Sequence, residues 1–138
     1  MRYLLDTNIL SETIKKKPDN NVVSWLESVP QEQLYISVIT IGEIRKGIEK
    51  LPTSAKCQKL LHWLETELVS WFHLHIIPID IEIAEKWGYL MAASKRPLPA
   101  IDSLISATAL THNLTLVTRN IADFKDVHAL ETLNPWDM

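Results

Sequence analysis

An α/β domain built on a mainly parallel sheet, covered on both faces, is what this chain encodes. Short apolar runs of strand length alternate along it with stretches of helical period. In addition, Asp6 and Asp102 each stand where an apolar segment gives way to a turn or helix start, with Glu43 placed similarly between them. In an open parallel sheet the strand carboxyl ends share one edge, and ligands bind there.

Tyr3-Leu4-Leu5 is a buried-strand pattern that ends in Asp6 and two small polar residues, Thr7 and Asn8. A helix from Asn8 to Lys15 follows, then a break at Pro18-Asp19-Asn20-Asn21 and a short helix carrying Val22, Trp25 and Leu26. Leu34 to Ser37 reads as the second strand. The spacing of Ile41, Ile44 and Ile48 makes Thr40 to Glu49 helical, and Pro52-Thr53-Ser54 opens a longer helix running through Leu60, Leu64, Leu68 and Phe72. Ile76 to Ile79 is the third strand, after which Asp80 caps a helix with Ala84, Trp87, Leu90 and Met91 on one face. Pro97 and Pro99 break the chain before a helix from Asp102 to His112 that Asn113 ends. Leu114 to Val117 is the fourth strand, Thr118 to Phe124 a loop or short helical turn, and Ala129 to Leu133 holds a fifth, edge strand.

Length and composition describe one globular domain over residues 1–138, 46% hydrophobic and 22% charged, with no repeat or low-complexity tract. Cys57 is alone, so neither an internal disulfide nor a cysteine zinc cluster is available, and a cytoplasmic setting is the default. Three apolar residues before Asp6 are far too few for a signal-peptide core, and no later stretch is uncharged for membrane-spanning length. The net charge of −3 gives no global footprint for nucleic acid, although positive charge gathers locally at Lys15-Lys16-Lys17, Arg45-Lys46, Lys95-Arg96 and Arg119.

Helix capping competes to explain each acid. Thr40-x-x-Glu43 has capping-box spacing, Asp102 after Pro99-Ala100-Ile101 suits an N-cap, and Asp6 suits the cap of the first helix. Capping does not predict convergence on one sheet edge, where like charges repel unless a cation or a raised pKa relieves them. All the candidate ligands are oxygen groups with no histidine near them in sequence, so the cation expected is hard, Mg²⁺ or Mn²⁺. His73-x-His75 reads as structural or exposed, and Trp25, Trp63, Trp71 and Trp87 as core.

Four segments together carry a family likeness: Leu5-Asp6-Thr7-Asn8-Ile9-Leu10-Ser11-Glu12, Ser37-Val38-Ile39-Thr40-Ile41-Gly42-Glu43-Ile44-Arg45-Lys46-Gly47, Pro97-Leu98-Pro99-Ala100-Ile101-Asp102-Ser103-Leu104-Ile105, and Leu116-Val117-Thr118-Arg119-Asn120. In this order they resemble the PIN-domain ribonucleases of the VapC/FitB toxin type, and Asn134-Pro135-Trp136 resembles the end of the FitB-like members. The resemblance covers essentially the whole chain. It implies a three-layer α/β/α PIN-like domain, Mg²⁺- or Mn²⁺-dependent endonuclease action on RNA, a homodimer, and a small VapB-like antitoxin that blocks the site and provides the only link to DNA.

Position by position, the resemblance makes Asp6 and Asp102 the metal-binding aspartates and Glu43 the third acid. An acid stands in many relatives where this chain has Asn120; the next acid here is Asp123, which either contributes through water or caps a turn. Thr118 matches a hydroxyl that steadies the cluster, and Asn8 is expected to hold the loop around Asp6 through a local Asx bond. Lys95 replaces a common glycine and adds positive charge near the site. The implied reaction is metal-assisted phosphodiester hydrolysis leaving a 5′-phosphate and a 3′-hydroxyl, with Arg45, Lys46 and Arg119 as candidates to grip flanking phosphates. Two alternatives are a catalytically silent binding module, in which the acids merely cap helices, and a receiver-like phosphoacceptor domain, which would place paired acids after its first strand.

Overall fold

A computed structural model describes residues 1–138. Five strands, β1 (Tyr3–Leu5), β2 (Leu34–Ser37), β3 (Ile76–Ile77), β4 (Thr115–Val117) and β5 (Thr132–Leu133), form one all-parallel sheet in the order β3-β2-β1-β4-β5. β1 is central, with Leu4 opposite Tyr35 on one side and Leu116 on the other. A receiver-like domain has its strands in the order 2-1-3-4-5, so this topology removes that alternative.

The two faces of the sheet bury separate cores, making three layers. On one side lie α1 (Thr7–Thr13), α2 (Asn20–Ser28), α3 (Val38–Glu49), α4 (Ala55–His62) and α5 (Val69–Phe72), packed on Leu5, Ile36 and Val117 through Ile9, Leu10, Trp25, Ile44, Ile48 and Phe72. On the other lie α6 (Ile81–Ala93) and α7 (Ala100–His112), which cover Leu4 and Leu116 with Ile83 and Ile105. Adjacent residues of one strand, Leu4 and Leu5, therefore serve opposite layers, as the two-residue strand period requires.

Side chains explain where the elements begin and end. Asp19, Ser37, Ser54 and Asp80 cap α2, α3, α4 and α6, each accepting from a backbone N–H of the first turn. α1 ends at Thr13 rather than Lys15: the Ile14 and Lys15 N–H groups both turn to the Glu12 carbonyl instead of continuing the α-helical pattern. β3 ends at Ile77 rather than Ile79, since Pro78 has no N–H to donate and the strand lies at the sheet edge. The expected long helix is interrupted by a π-helical segment, Trp63–Leu68, between α4 and α5. Its apolar residues Leu60, Leu64, Leu68 and Phe72 recur every four positions, more widely than the α-helical 3.6, and the wider turns keep them on the core. Asn113, in the left-handed region at φ 55°, closes α7 as expected.

Candidate active site

Chain connection proceeds outward from β1 to β2 and β3, then returns to β4 on β1's other side. The carboxyl ends of β1 and β4 flank that reversal, where open α/β sheets form crevices. A cleft of about 400 Å³ opens there, lined by Asp6, Asn8, Glu43, Asp102 and Arg119 among others.

Asp6 leaves β1 with its own N–H still donated to the Val117 carbonyl (2.9 Å), so its side chain is carried by the sheet itself. One carboxylate oxygen accepts from the Thr7 N–H (2.8 Å), capping α1, and the other from the Thr118 hydroxyl (2.8 Å). Thr118, fully buried at the end of β4, also accepts from Asn8 Nδ2 (3.3 Å) and from the Asn120 N–H (3.1 Å). One donor and two acceptor sites are thus all occupied. Glu43, on the second turn of α3, is oriented by the Thr7 hydroxyl, which donates to its Oε1 (3.0 Å). Asp102 stands in the first turn of α7, and Asp123 is exposed in the 3₁₀ turn Ile121–Phe124 just outside the lining.

The electrostatics tie these acids together. Burial pushes the Asp6 carboxyl above the usual range, against the hydrogen bonds from Thr118 and Thr7, and the Asp123 charge adds to the rise. Asp102 is also raised, first by burial and then by the charges of Asp6, Asp123 and Glu43. Convergence is on one cleft rather than one point, since no three of the acids form a ready-made metal cage. The donor set still suits a hard ion: it is all oxygen, no histidine lines the cleft, and Mg²⁺ keeps several waters while needing only one or two carboxylates directly.

Capping explains only Asp6. α3 starts at Val38 under Ser37, so Thr40 lies within the helix, buried with its hydroxyl unpartnered, and the capping box with Glu43 does not form. α7 follows Pro99, which makes no side-chain cap, and Asp102 sits inside the helix. Asn8 departs from the expected local turn: besides Thr118 it holds the Arg119 N–H (3.2 Å), bridging the ends of β1 and β4. Arg45 is bound to Glu49 (2.8 Å) and Glu65 (3.4 Å), and neither it nor Lys46 lines the cleft. Of the three phosphate candidates only Arg119 does, and Lys95 lies away from it.

Five lining residues have no role in the sequence reading: Thr7, which orients Glu43, and Ser11, Glu12, Lys15 and Trp136. Ser11 and Glu12 share a helical face with Asn8, three and four residues on, a signal legible in the sequence, whereas Lys15 lies beyond the end of α1 and meets the cleft through Glu12. Glu12 is buried and lowered in pKa, chiefly by its hydrogen bond from Lys15 (2.9 Å), and it accepts the Asp19 N–H (2.8 Å). Trp136 comes from a distant segment, and its signal in the sequence is the Asn134-Pro135-Trp136 motif rather than any periodicity.

Residues 3–130 match the family described as PIN domain. The chain is 35% identical over 136 residues to Toxin FitB of Neisseria gonorrhoeae, covering 96% of this chain and 97% of that one. It is 31% identical over 137 residues to VapC ribonuclease Y4jK of Sinorhizobium fredii, covering 97% of each. The crystal structure of FitAcB from Neisseria gonorrhoeae superposes with a TM-score of 0.91 at 34% identity, with 99% of both chains covered.

Proposed function

Because this chain belongs to the PIN-domain family, we propose that it is an endoribonuclease toxin of a type II toxin–antitoxin pair, hydrolysing RNA phosphodiester bonds with the help of Mg²⁺ or Mn²⁺. The observation that carries the reading is the acid-lined cleft at the reversal of strand order, where the Asp102 carboxyl is raised by burial and by three other acids.

Asp6, Glu43 and Asp102 are the residues that hold the cation, with Asp123 adding charge from the rim. When bound, the metal makes a water more acidic and offsets charge on the leaving oxygen. Thr118 and Thr7 fix the rotamers of Asp6 and Glu43, so that the carboxylates keep their positions against mutual repulsion. Asn8 and Asn120 hold Thr118 in turn, Asn8 through its side-chain amide and Asn120 through its backbone N–H.

The partner is a small VapB-like antitoxin. Beside the cleft, sharing Thr7, Ser11 and Glu43 with it, runs an apolar groove of about 280 Å³ that includes Ile14, Ile44, Ile48 and Trp63. An apolar helix face seated there brings an Arg or Lys within reach of the acids and competes with the metal. DNA is contacted only through that partner. No helix is long and apolar enough to cross a membrane; a homodimer working in the cytoplasm completes the reading. Expression of the chain alone should arrest growth, and coexpression of the antitoxin from the neighbouring gene should restore it. Harmless expression of folded protein, or RNA cleavage that survives a chelator, contradicts this function and favours a silent binding module or another nuclease chemistry.

A further inference from the structure

The chain has four arginines, and three are engaged by its own acceptors. Arg2 donates to the His112 carbonyl, Arg45 to Glu49 and Glu65, and Arg96 to Asp126. Arg119 differs. Its guanidinium makes no hydrogen bond or ion pair within the chain and lies 5.1 Å from the Trp136 ring centroid, at the acidic cleft. The backbone on both sides is pinned: its N–H to Asn8 Oδ1 (3.2 Å), and its carbonyl to Asn134 Nδ2 (3.3 Å). Trp136 is anchored as well, with its N–H on Asn134 Oδ1 (3.0 Å), its carbonyl on Asn21 Nδ2 (3.0 Å) and its ring against the core.

A long cationic side chain left free in water samples many rotamers, and ordering it on binding costs affinity. Here the aromatic face takes up one side of the guanidinium without consuming any N–H donor. All five donors remain for an incoming anion, and their planar fork matches two phosphate oxygens. Trp136 is the single apolar residue of the lining, so no other apolar side chain of the cleft is available for this support. Asn8 links the arrangement to the reaction centre, because the same side chain that holds the Arg119 N–H donates to Thr118, the residue that orients Asp6.

We propose that Arg119 is an RNA phosphate clamp beside the acidic centre and that Trp136 is its positioning residue, holding the guanidinium ready for a phosphate next to the scissile one. This rests on the ribonuclease reading above. The test is binding of a fluorescently labelled single-stranded oligoribonucleotide in EDTA across a KCl series, alongside Mn²⁺-supported cleavage kinetics of the same RNA. Arg119→Ala should weaken binding roughly tenfold and flatten the dependence of log affinity on log salt by about 0.7, the loss of one phosphate contact on a single strand. In cleavage, KM should rise more than kcat falls. Trp136→Ala should reproduce part of the binding defect, Trp136→Phe should rescue it, and the Arg119→Ala/Trp136→Ala pair should be no worse than Arg119→Ala alone. An unchanged salt slope and KM in Arg119→Ala, whose exposed side chain makes it a safe variant for folding, overturns the clamp while leaving the nuclease standing. Additive defects in the double variant overturn the role of Trp136. Failure of the wild type to bind or cut any RNA overturns both readings.

Discussion

The Thr118 hydroxyl is the residue on which the geometry of the site turns, because it alone joins Asp6 to Asn8 and Asn120. Thr118→Val keeps the shape and leaves those groups unpartnered; the expected cost is about 1–3 kcal/mol in denaturant unfolding. Activity should fall with it, since a bond that lowers the Asp6 pKa is lost. Asp6→Asn and Asp102→Asn should keep their circular dichroism spectra and lose more than about a hundredfold in RNA cleavage, as a metal ligand matters to chemistry more than to packing. The pH dependence has a definite sign. Asp6 and Asp102 are raised in the fold, so each binds more protons folded than unfolded, and the metal-free protein loses stability as pH rises through the unfolded and then the folded pKa. Asp102→Asn removes one such penalty without removing a cap, and should raise the metal-free melting temperature near neutral pH.

Between elements, Glu12 fastens α1 to the start of α2 by accepting the Asp19 N–H, and its lowered pKa gives the opposite linkage. Its contribution is present above the unfolded carboxyl pKa and is lost as pH falls through the folded one. Glu12→Gln should therefore destabilise at neutral pH, on the order of 1 kcal/mol by thermal or denaturant unfolding, and the difference from wild type should shrink in acid. Strands, caps and the Asn113 helix stop were legible because they depend on neighbours in sequence: Asp80 does cap α6, and apolar runs do end at Asp6. Sequence and structure part where local signals compete. Ser37 took the cap that Thr40 was equally suited for, and the four-residue spacing from Leu60 to Phe72 concealed a π segment. Arg45 pairs with Glu49, four residues on in the same helix, and lies outside the cleft.

At the scale of the molecule, the strand order β3-β2-β1-β4-β5 gathers acids from three separated segments, around Asp6, Glu43 and Asp102, and in the sequence this shows in their placement at the ends of apolar segments and in the ordered set of motifs. Contacts such as Asn21 with Trp136 and Arg119 with Trp136 join distant parts of the chain, and no periodicity announces them. A cation that binds only the folded state stabilises it by mass action, so Mn²⁺ should raise the melting temperature at neutral pH and do so less as the acids protonate. Asp102→Asn should blunt that response. Cleavage of a labelled RNA by purified protein, with Mn²⁺, with Mn²⁺ plus excess EDTA, and with Asp102→Asn in place of wild type, tests directly whether a cation held by these acids cuts RNA. RNA should be cut in the first case alone; wild-type rates in EDTA, or from folded Asp102→Asn protein with Mn²⁺, would mean that no cation held at Asp102 drives the cleavage.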